Sequence, residues 1–284
     1  MSGEVVGSFV DLHTHSTASD GILPPEQVVE AAASAGLKAI AITDHDTVGG
    51  LSAAESAGAR LGVRIVSGVE LSAALGEQEI HILALGLSRL DRIEQMLTDL
   101  RNLRLGRARL IVDKLNSLGV GITFAEVLEA SGGGAVGRPH VARVMIARGF
   151  AADSRDAFQR YLRAGAAAFV PKEKFLVEDA IKIAHQAGAI AVWAHPGSGG
   201  RRERMERMIE AGLDGAEVLH PGHSPEDTVR LRALVDFFGI LPSGGSDWHG
   251  ATEGGRQLGM MSVPLEWLER QDAHRERIGS MAVA

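Results

Sequence analysis

Nine histidine and acidic side chains of the sequence follow or interrupt short apolar runs, and they are of the types that bind divalent metal ions. They are His13, His15, Asp20, His45, Glu70, His81, His195, Asp247 and His249. His13 and His15 are two residues apart, so on a strand both side chains lie on one face and can reach one ion. The set predicts about three ligands for each of three ions, with positions left for water.

Each of these residues also has an interpretation that involves no metal. Two histidines can fall on a half-exposed strand by chance, and Asp20 before Gly21 is typical of a turn. A lone histidine in an apolar strand, such as His81, is more often a hydrogen-bonded core residue. Glu70 has apolar neighbours, where an unpaired ionised carboxylate is strongly unfavourable, and it fits a carboxylate that bridges two ions. Because all of these features occur together, we favour the metal centre.

The ligand types narrow the choice of metal. The chain has no cysteine, which excludes disulfides, thiolate zinc sites and cysteine nucleophiles. Nitrogen and oxygen donors suit manganese, zinc or iron more than calcium, and we expect two or three divalent ions. Asp44 and Asp46 flank His45, and we interpret them as acceptors that orient the imidazoles.

Five segments share a pattern that positions these side chains. In each, a helical run ends in glycine and is followed by a short apolar run and then a polar residue; the glycines are Gly36, Gly62, Gly188, Gly212 and Gly239. Strands that alternate with helices form parallel sheets, and in barrels of such units the active site lies at the C-terminal strand ends. Turn formation would explain any one segment, but not all five. The sequence therefore predicts an α/β barrel with the metal centre at that end.

The pattern changes after His81, where helices follow one another without strands. A long helix is predicted from about residue 90 to 118, Thr123 and Glu126 resemble a capping box, Pro139 is predicted as a first helical residue, and another helix covers 154–163. We interpret this region as an inserted helical subdomain. The predicted domains are the first part of the barrel, the insertion and the second part of the barrel, at residues 1–87, 88–170 and 171–284.

Composition and charge exclude several classes of protein. With 284 residues, of which 45% are hydrophobic and 23% charged, the chain can bury a substantial core and is neither disordered nor collagen-like. No apolar run is long enough to span a membrane and no signal sequence is evident, so we expect a cytoplasmic protein without a membrane partner. The net charge of −7 argues against a coat on DNA, although bound cations would let a site accept an anionic substrate.

Seven motifs resemble those of the polymerase and histidinol phosphatase (PHP) family, specifically its stand-alone nucleotide phosphoesterases. In family order they are DLHTHSTASDG, ITDHDT, GVELS, HILALG, AHPG, EVLHPGHSPED and GSDWHG. The resemblance implies a distorted (β/α)7 barrel, a trinuclear metal centre formed by the nine residues, and a helical insertion near the substrate. It also implies hydrolysis of phosphate esters, including the 3′-phosphate of nucleoside 3′,5′-bisphosphates, and trimming of short RNA from the 5′ end.

Residues outside the metal set are predicted to hold the substrate. Arg138 and His140 lie at a helix start, where free amides and the helix dipole favour a phosphate. The resemblance adds Lys172 and His223 as phosphate-binding residues. A hydroxide that bridges the ions is expected to attack, so no side-chain nucleophile is required. Arg138, His220 and His223 form the predicted catalytic set, with one of the two histidines, or a metal-bound water, protonating the leaving oxygen.

Other functions share parts of this pattern. A histidinol-phosphate-type phosphatase or a metal-dependent amidohydrolase would use a similar hydroxide. A metal-binding regulatory module would need no catalysis, but the presence of all nine ligand types argues against it. We expect a small nucleotide as the substrate, with short RNA as a further one. The four arginines in residues 101–109 can contact an RNA tail, but we interpret them as a solvated helix face.

Overall fold

The backbone that carries the nine side chains is one curved sheet surrounded by helices. The computed structural model describes residues 8–76, 78–171, 175–250 and 255–281. Within them the strands are β1 (Phe9–Thr14), β2 (Ala39–Ile42), β3 (Arg64–Leu75), β4 (Gln78–Leu85), β5 (Ile190–Trp193), β6 (Gly215–Leu219), β7 (Leu241–Gly244) and β8 (Val263–Pro264). The α-helices are α1 (Pro25–Ser34), α2 (Leu51–Leu61), α3 (Asp91–Ser117), α4 (Phe124–Ala130), α5 (Arg138–Ala147), α6 (Ser154–Ala157), α7 (Val177–Gln186), α8 (Arg202–Glu210), α9 (Pro225–Phe238) and α10 (Leu265–Met281).

The strand order is β7-β6-β5-β4-β3-β2-β1-β8. β1 to β3 pair in parallel, as do β5 to β7, which confirms the predicted α/β barrel. Every side chain of β2 and β5 is buried, because helices cover one face of the sheet and side chains fill the interior. The predicted parallel sheet is interrupted at β4, which is antiparallel to both neighbours. Leu75 pairs with Gln78, and so short a connection permits only antiparallel pairing.

The ring closes between β1 and the segment that follows β7. The Asp247 amide donates to the His13 carbonyl at 2.9 Å, and the His15 amide donates to the Trp248 carbonyl at 2.9 Å. At the opposite end of β1, Val10 pairs with Val263 of β8. Predicted ligands from the two ends of the chain therefore lie on directly bonded backbone.

The five glycines predicted to end helices all adopt the left-handed conformation, with φ between 67° and 103°. A side chain with Cβ is disfavoured there, so glycine ends each helix and turns the chain into the next strand. This part of the sequence-based prediction is confirmed.

The second half of α3 and the helices α4 to α6 build a second hydrophobic core. The first half of α3 packs on the barrel through Ile93, Leu97 and Leu100. Its second half packs with the following helices through Ala108, Ile111, Val112 and Leu115. A single long helix thus connects the barrel to the helical region, while the domain boundaries near residues 88 and 170 stay a prediction.

Local signals in this helical region are confirmed with one shift. The Thr123 amide donates to Glu126 Oε2 at 2.7 Å and the Glu126 amide donates to Thr123 Oγ1 at 3.2 Å, which is the predicted capping box. Pro139 is the second residue of α5 rather than the first, because the helix begins at Arg138. The predicted helix over 154–163 is α6 followed by a π-helical turn, Phe158–Leu162. No described helix has the length and apolar composition of a membrane span.

Candidate metal centre

All nine predicted ligands lie together at one end of the barrel. His13 lies on β1, His15 and Asp20 follow it, His45 follows β2, Glu70 lies within β3, His81 lies on β4, His195 follows β5, and Asp247 and His249 follow β7. Glu70 was expected at a strand end, but β3 continues past it to Leu75 because it forms a long hairpin with β4. His13, His15, Asp20 and Glu70 are buried, and the other five are half-buried.

Glu70 occupies the middle of the cluster. Its Oε1 atom lies 2.7 Å from His81 Nδ1 and 3.0 Å from His195 Nε2. Its Oε2 atom lies 3.2–3.3 Å from ring nitrogens of three other histidines, His13, His15 and His45. The two oxygens therefore face two different sets of imidazoles, which is the arrangement of a carboxylate that bridges two ions.

Two further carboxylates complete the cluster. Asp247 Oδ1 lies 3.2 Å from His15 Nε2. Asp20 Oδ1 lies 3.3 Å from His249 Nε2, and Asp20 Oδ2 lies 3.9 Å from His45 Nε2. Groups whose donor atoms all lie within 4.8 Å of one another include His13 with His15, Glu70 and Asp247; His15 with Asp20, His45 and His249; and His45 with Glu70 and His81.

The donor atoms fit metal ions better than they fit hydrogen bonds. Four buried ring nitrogens have no hydrogen-bond partner within the described part of the chain: His13 Nε2, both nitrogens of His15, and His45 Nδ1. A buried polar atom without a partner costs about 1–3 kcal/mol, so four in one cluster require another kind of partner. Imidazole nitrogens and carboxylate oxygens bind zinc at about 2.0–2.2 Å, and a cation within each group would satisfy these atoms.

The charge of the cluster also favours cations. Burial would raise the pKa of the Glu70 carboxyl, but the surrounding imidazoles, His45 first, hold that pKa well below its ordinary value. The pKa values of Asp20 and Asp247 are likewise held low by neighbouring histidines despite burial. Ionised carboxylates in so buried a place need positive partners, and divalent ions supply them.

Glu217, which the sequence analysis did not select, supports the cluster from β6. It is fully buried, its Oε1 atom lies 3.1 Å from His13 Nδ1, and its Oε2 atom accepts the His195 amide at 2.6 Å. A proton on His13 Nδ1 leaves the Nε2 atom free to bind a metal, so Glu217 orients this ring. The signal was present, since Glu217 in GAEVL is a lone carboxylate in an apolar strand, as is Glu70 in GVELS.

Asp44 fixes the loop that carries one of the ligands. Its Oδ1 atom accepts the Ser16 amide at 2.7 Å and the Ser19 hydroxyl at 2.7 Å. These bonds hold the turn that leads to Asp20. We expected Asp44 to orient an imidazole, and in the structure it orients this loop.

Three residues of the site adopt a backbone conformation that non-glycine residues rarely take. Asp46, His195 and Asp247 have φ of 52°, 34° and 49°. Such residues cost on the order of 1–3 kcal/mol and persist only where their surroundings fix them. Asp46 is fixed by the Ser72 amide at 2.8 Å from Oδ1 and by Arg104 Nε at 2.5 Å from Oδ2. The strain is therefore concentrated where the cluster is built.

A cavity of about 220 Å³ lies between the cluster and the helical region. Arg138, at the start of α5, lines it, with Nη2 3.7 Å from Glu79 Oε2 and the guanidinium 5.8 Å from the centre of the Phe158 ring. The walls also include Asp20, His45, His81, Arg104 and Arg107. The structure thus places Arg138 beside the cluster, in a pocket rich in arginine.

His140 and Lys172 are two further residues predicted to bind phosphate. His140 is buried, its Nδ1 atom accepts the Gly137 amide at 2.9 Å, and burial lowers its pKa to about 4. The neutral ring therefore caps the helix, and its contact with phosphate stays a prediction. Lys172 lies outside the described residues.

His220 and His223 line an adjoining cavity of about 420 Å³ that opens onto the cluster. The His220 Nδ1 atom accepts the Gly222 amide at 3.0 Å, which leaves the proton on Nε2, 3.4 Å from Asp247 Oδ2. His223 uses both nitrogens on backbone, since Nδ1 donates to a carbonyl of β6 at 3.0 Å and Nε2 accepts the Gly197 amide at 3.2 Å. Of the two rings, His220 directs a proton toward the cluster.

The prediction that the arginines of α3 form a solvated face was wrong for three of the four, while Arg109 is exposed. Arg101, Arg104 and Arg107 are three residues apart and lie on the side of the helix that faces the barrel. Arg101 donates to the Asp46 carbonyl at 3.4 Å, the Arg104 side chain is 11% exposed, and Arg107 lines the cavity. The spacing of three was the signal that separates these residues from Arg109.

A barrel that collects nine imidazole and carboxylate side chains around buried, unpaired ring nitrogens defines a metal-dependent hydrolase. The model of the PHP domain family matches residues 11–178. A 3′,5′-nucleoside bisphosphate phosphatase from Chromobacterium violaceum is 36% identical over 257 residues, which cover 88% of this chain and 90% of that protein. The 5′-3′ exoribonuclease Rnm of Salmonella typhimurium is 34% identical over 247 residues, 84% of each protein.

A solved structure of similar fold has the same class of activity in its description as the sequence relatives. A candidate metal-dependent phosphoesterase from Bifidobacterium adolescentis superposes with a TM-score of 0.87 at 31% identity, covering 94% of this chain and 96% of that one. The chain therefore belongs to the PHP domain family and is a metal-dependent phosphoesterase, as its motifs implied.

Proposed function

We propose that this enzyme hydrolyses a terminal phosphate of small nucleotides, such as the 3′-phosphate of nucleoside 3′,5′-bisphosphates, and that it also accepts short 5′-phosphorylated RNA. The observation that carries the proposal is the arginine-lined cavity of about 220 Å³ directly beside the cluster. It offers a place for a second anionic group while the reacting phosphate lies at the cluster. The names of the two sequence relatives describe activities on substrates of this kind.

The nine clustered residues are proposed to hold two or three divalent ions, with Glu70 as a bridge. Manganese, zinc and iron suit the nitrogen and oxygen donors. When bound, the ions would neutralise charge on the phosphoryl oxygens and make water a stronger nucleophile near neutral pH.

The chain's own residues are proposed to position the substrate and move one proton. Arg138 holds an anionic group in the cavity, where a guanidinium can bind two oxygens of a phosphate at once. The Nε2 proton of His220 lies beside Asp247 and faces the open cavity, so His220 is proposed to protonate the leaving oxygen. His223, bonded to backbone at both nitrogens, is proposed to fix the loop that carries His220.

Substrate profiling tests the proposal. We expect the manganese-loaded enzyme to release phosphate from adenosine 3′,5′-bisphosphate and nucleotides from a 5′-phosphorylated dinucleotide. Arg138→Ala should lower kcat/KM for the bisphosphate by about 10- to 100-fold, the range for a lost hydrogen bond to a charged group. Arg109→Ala, at an exposed position of α3, is the arginine control and should retain wild-type values.

Three outcomes would contradict the proposal. Phosphate release from histidinol phosphate but from no nucleotide would favour the histidinol-phosphate-type alternative. Hydrolysis of a simple amide without any phosphate release would favour an amidohydrolase. Absence of all hydrolysis by a metal-loaded chain would favour the regulatory module.

A further inference from the structure

Arg107 of α3 lines the cavity beside the cluster, and part of its guanidinium is buried. Its Nε atom donates to the Val170 carbonyl at 2.8 Å. Its Nη2 atom is buried and has no hydrogen-bond partner among the residues that the structure describes. A desolvated donor of a charged group is strongly unfavourable without an acceptor, so this edge is prepared for one.

The neighbouring arginines differ from Arg107 in having carboxylate partners. Arg104 pairs with Asp46 at 2.5 Å, and Arg138 lies 3.7 Å from Glu79 Oε2. No carboxylate of the described residues forms an ion pair with Arg107. Burial, and then the positive charge of Arg138, lower the pKa of Arg107 to about 10, so the side chain stays protonated near neutral pH.

The lining of the cavity combines two kinds of residue. Three of the clustered residues, Asp20, His45 and His81, belong to it. Ala108, Ile111, Val141 and Phe158 add apolar surface. An anion beside Arg107 would leave water on entering the cavity, where its attraction to a guanidinium is stronger than in solvent.

We propose that Arg107 binds the phosphate of the substrate that does not react, and thereby selects substrates with two phosphates over simple monoesters. The inference rests on the proposed nucleotide phosphoesterase function and adds a specificity-determining residue to it. Arg107 donates through Nη2, while its Nε bond to the Val170 carbonyl holds the guanidinium in place.

Comparison of two substrates tests this role. Arg107→Gln is expected to lower kcat/KM for adenosine 3′,5′-bisphosphate by about 10- to 100-fold, mainly through KM, because a hydrogen bond to a charged group is lost. Turnover of p-nitrophenyl phosphate, which has no second phosphate, should stay within about twofold. Arg107→Lys keeps the charge but not the forked geometry, so it should give an intermediate value.

A binding measurement separates recognition from catalysis. In calorimetric titrations of metal-free protein, Arg107→Gln should weaken binding of adenosine 3′,5′-bisphosphate but leave binding of adenosine 3′-phosphate nearly unchanged. Arg109→Gln, an arginine of the same helix that stacks on Phe124 at 4.3 Å, is the matched control and should change neither.

Failure of the proposed function and failure of the Arg107 inference give different results. If the wild-type enzyme releases phosphate from no nucleotide, the proposed function itself is wrong. If the wild-type enzyme is active and Arg107→Gln lowers kcat/KM equally for both substrates, or for neither, Arg107 is a structural residue and the inference is overturned. If Arg107→Gln does not fold, the same test uses Arg107→Lys. An unchanged ratio of kcat/KM for the bisphosphate to kcat/KM for p-nitrophenyl phosphate would then overturn the inference.

Discussion

Replacing Glu70 with glutamine is expected to remove bound metal and to lower turnover of a phosphate monoester by about 1,000-fold or more. Both carboxylate oxygens face imidazoles, and the amide removes one oxygen donor and the negative charge that would bridge two ions. Metal ions contribute several kcal/mol to transition-state charge stabilisation, and each 1.4 kcal/mol is about tenfold in rate. Metal content by mass spectrometry and kcat at saturating manganese measure the effect.

Glu226→Gln is the matched control, because this carboxylate is exposed at the start of α9. It should retain the metal content and kcat of the wild-type enzyme. Two or more ions in Glu70→Gln, with turnover near that of the control, would show that Glu70 does not bridge the ions.

Glu217→Gln has the next largest expected effect, a loss of about 10- to 100-fold in metal affinity, as is typical when the partner of a ligating histidine is replaced. The buried carboxylate accepts from His13 Nδ1 and from the His195 amide. An amide group can serve only one of these donors and directs its own N–H groups at the other. Competition of the metal-free protein with a chromogenic chelator measures the affinity.

Glu206→Gln controls for loss of a carboxylate, since Glu206 forms only an exposed i,i+4 ion pair with Arg202 in α8. Its metal affinity should equal that of the wild type. An unchanged affinity in Glu217→Gln would mean that His13 is oriented without Glu217.

The ligand cluster was accessible from the sequence because local spacing encodes it. His13 and His15 alternate on one strand, and Asp247 and His249 repeat that spacing after the last strand of the barrel. The left-handed glycines, Gly239 among them, marked where each helix ends and the next strand begins. Periodicity and turn chemistry act over a few residues, so they can be read without knowing the fold.

The closure of the barrel was less accessible, because it depends on contacts between distant segments. The bonds that join His13 and His15 to the segment after β7 connect the two ends of the chain. The antiparallel pairing of β4 follows from the short connection between Leu75 and Gln78. The sequence shows two apolar runs there, but it does not show that the connection between them is short enough to impose antiparallel pairing.

Glu217 and Arg107 were missed because their roles also depend on contacts that only the fold creates. Glu217 carries the same local signal as Glu70, a lone carboxylate in an apolar strand, but its contacts with His13 and His195 join distant parts of the chain. Arg107 lies on a helix, and which side of a helix meets the barrel is set by packing rather than by charge. The spacing of Arg101, Arg104 and Arg107 indicated one face, and only the fold shows that this face lines the cavity.

Anomalous diffraction from crystals of the manganese-loaded enzyme tests the central claim most directly. We expect two or three anomalous peaks within bonding distance of the nine clustered side chains, with Glu70 contacting two of them. A single peak away from Glu70, or no peak among these side chains in an active enzyme, would contradict it.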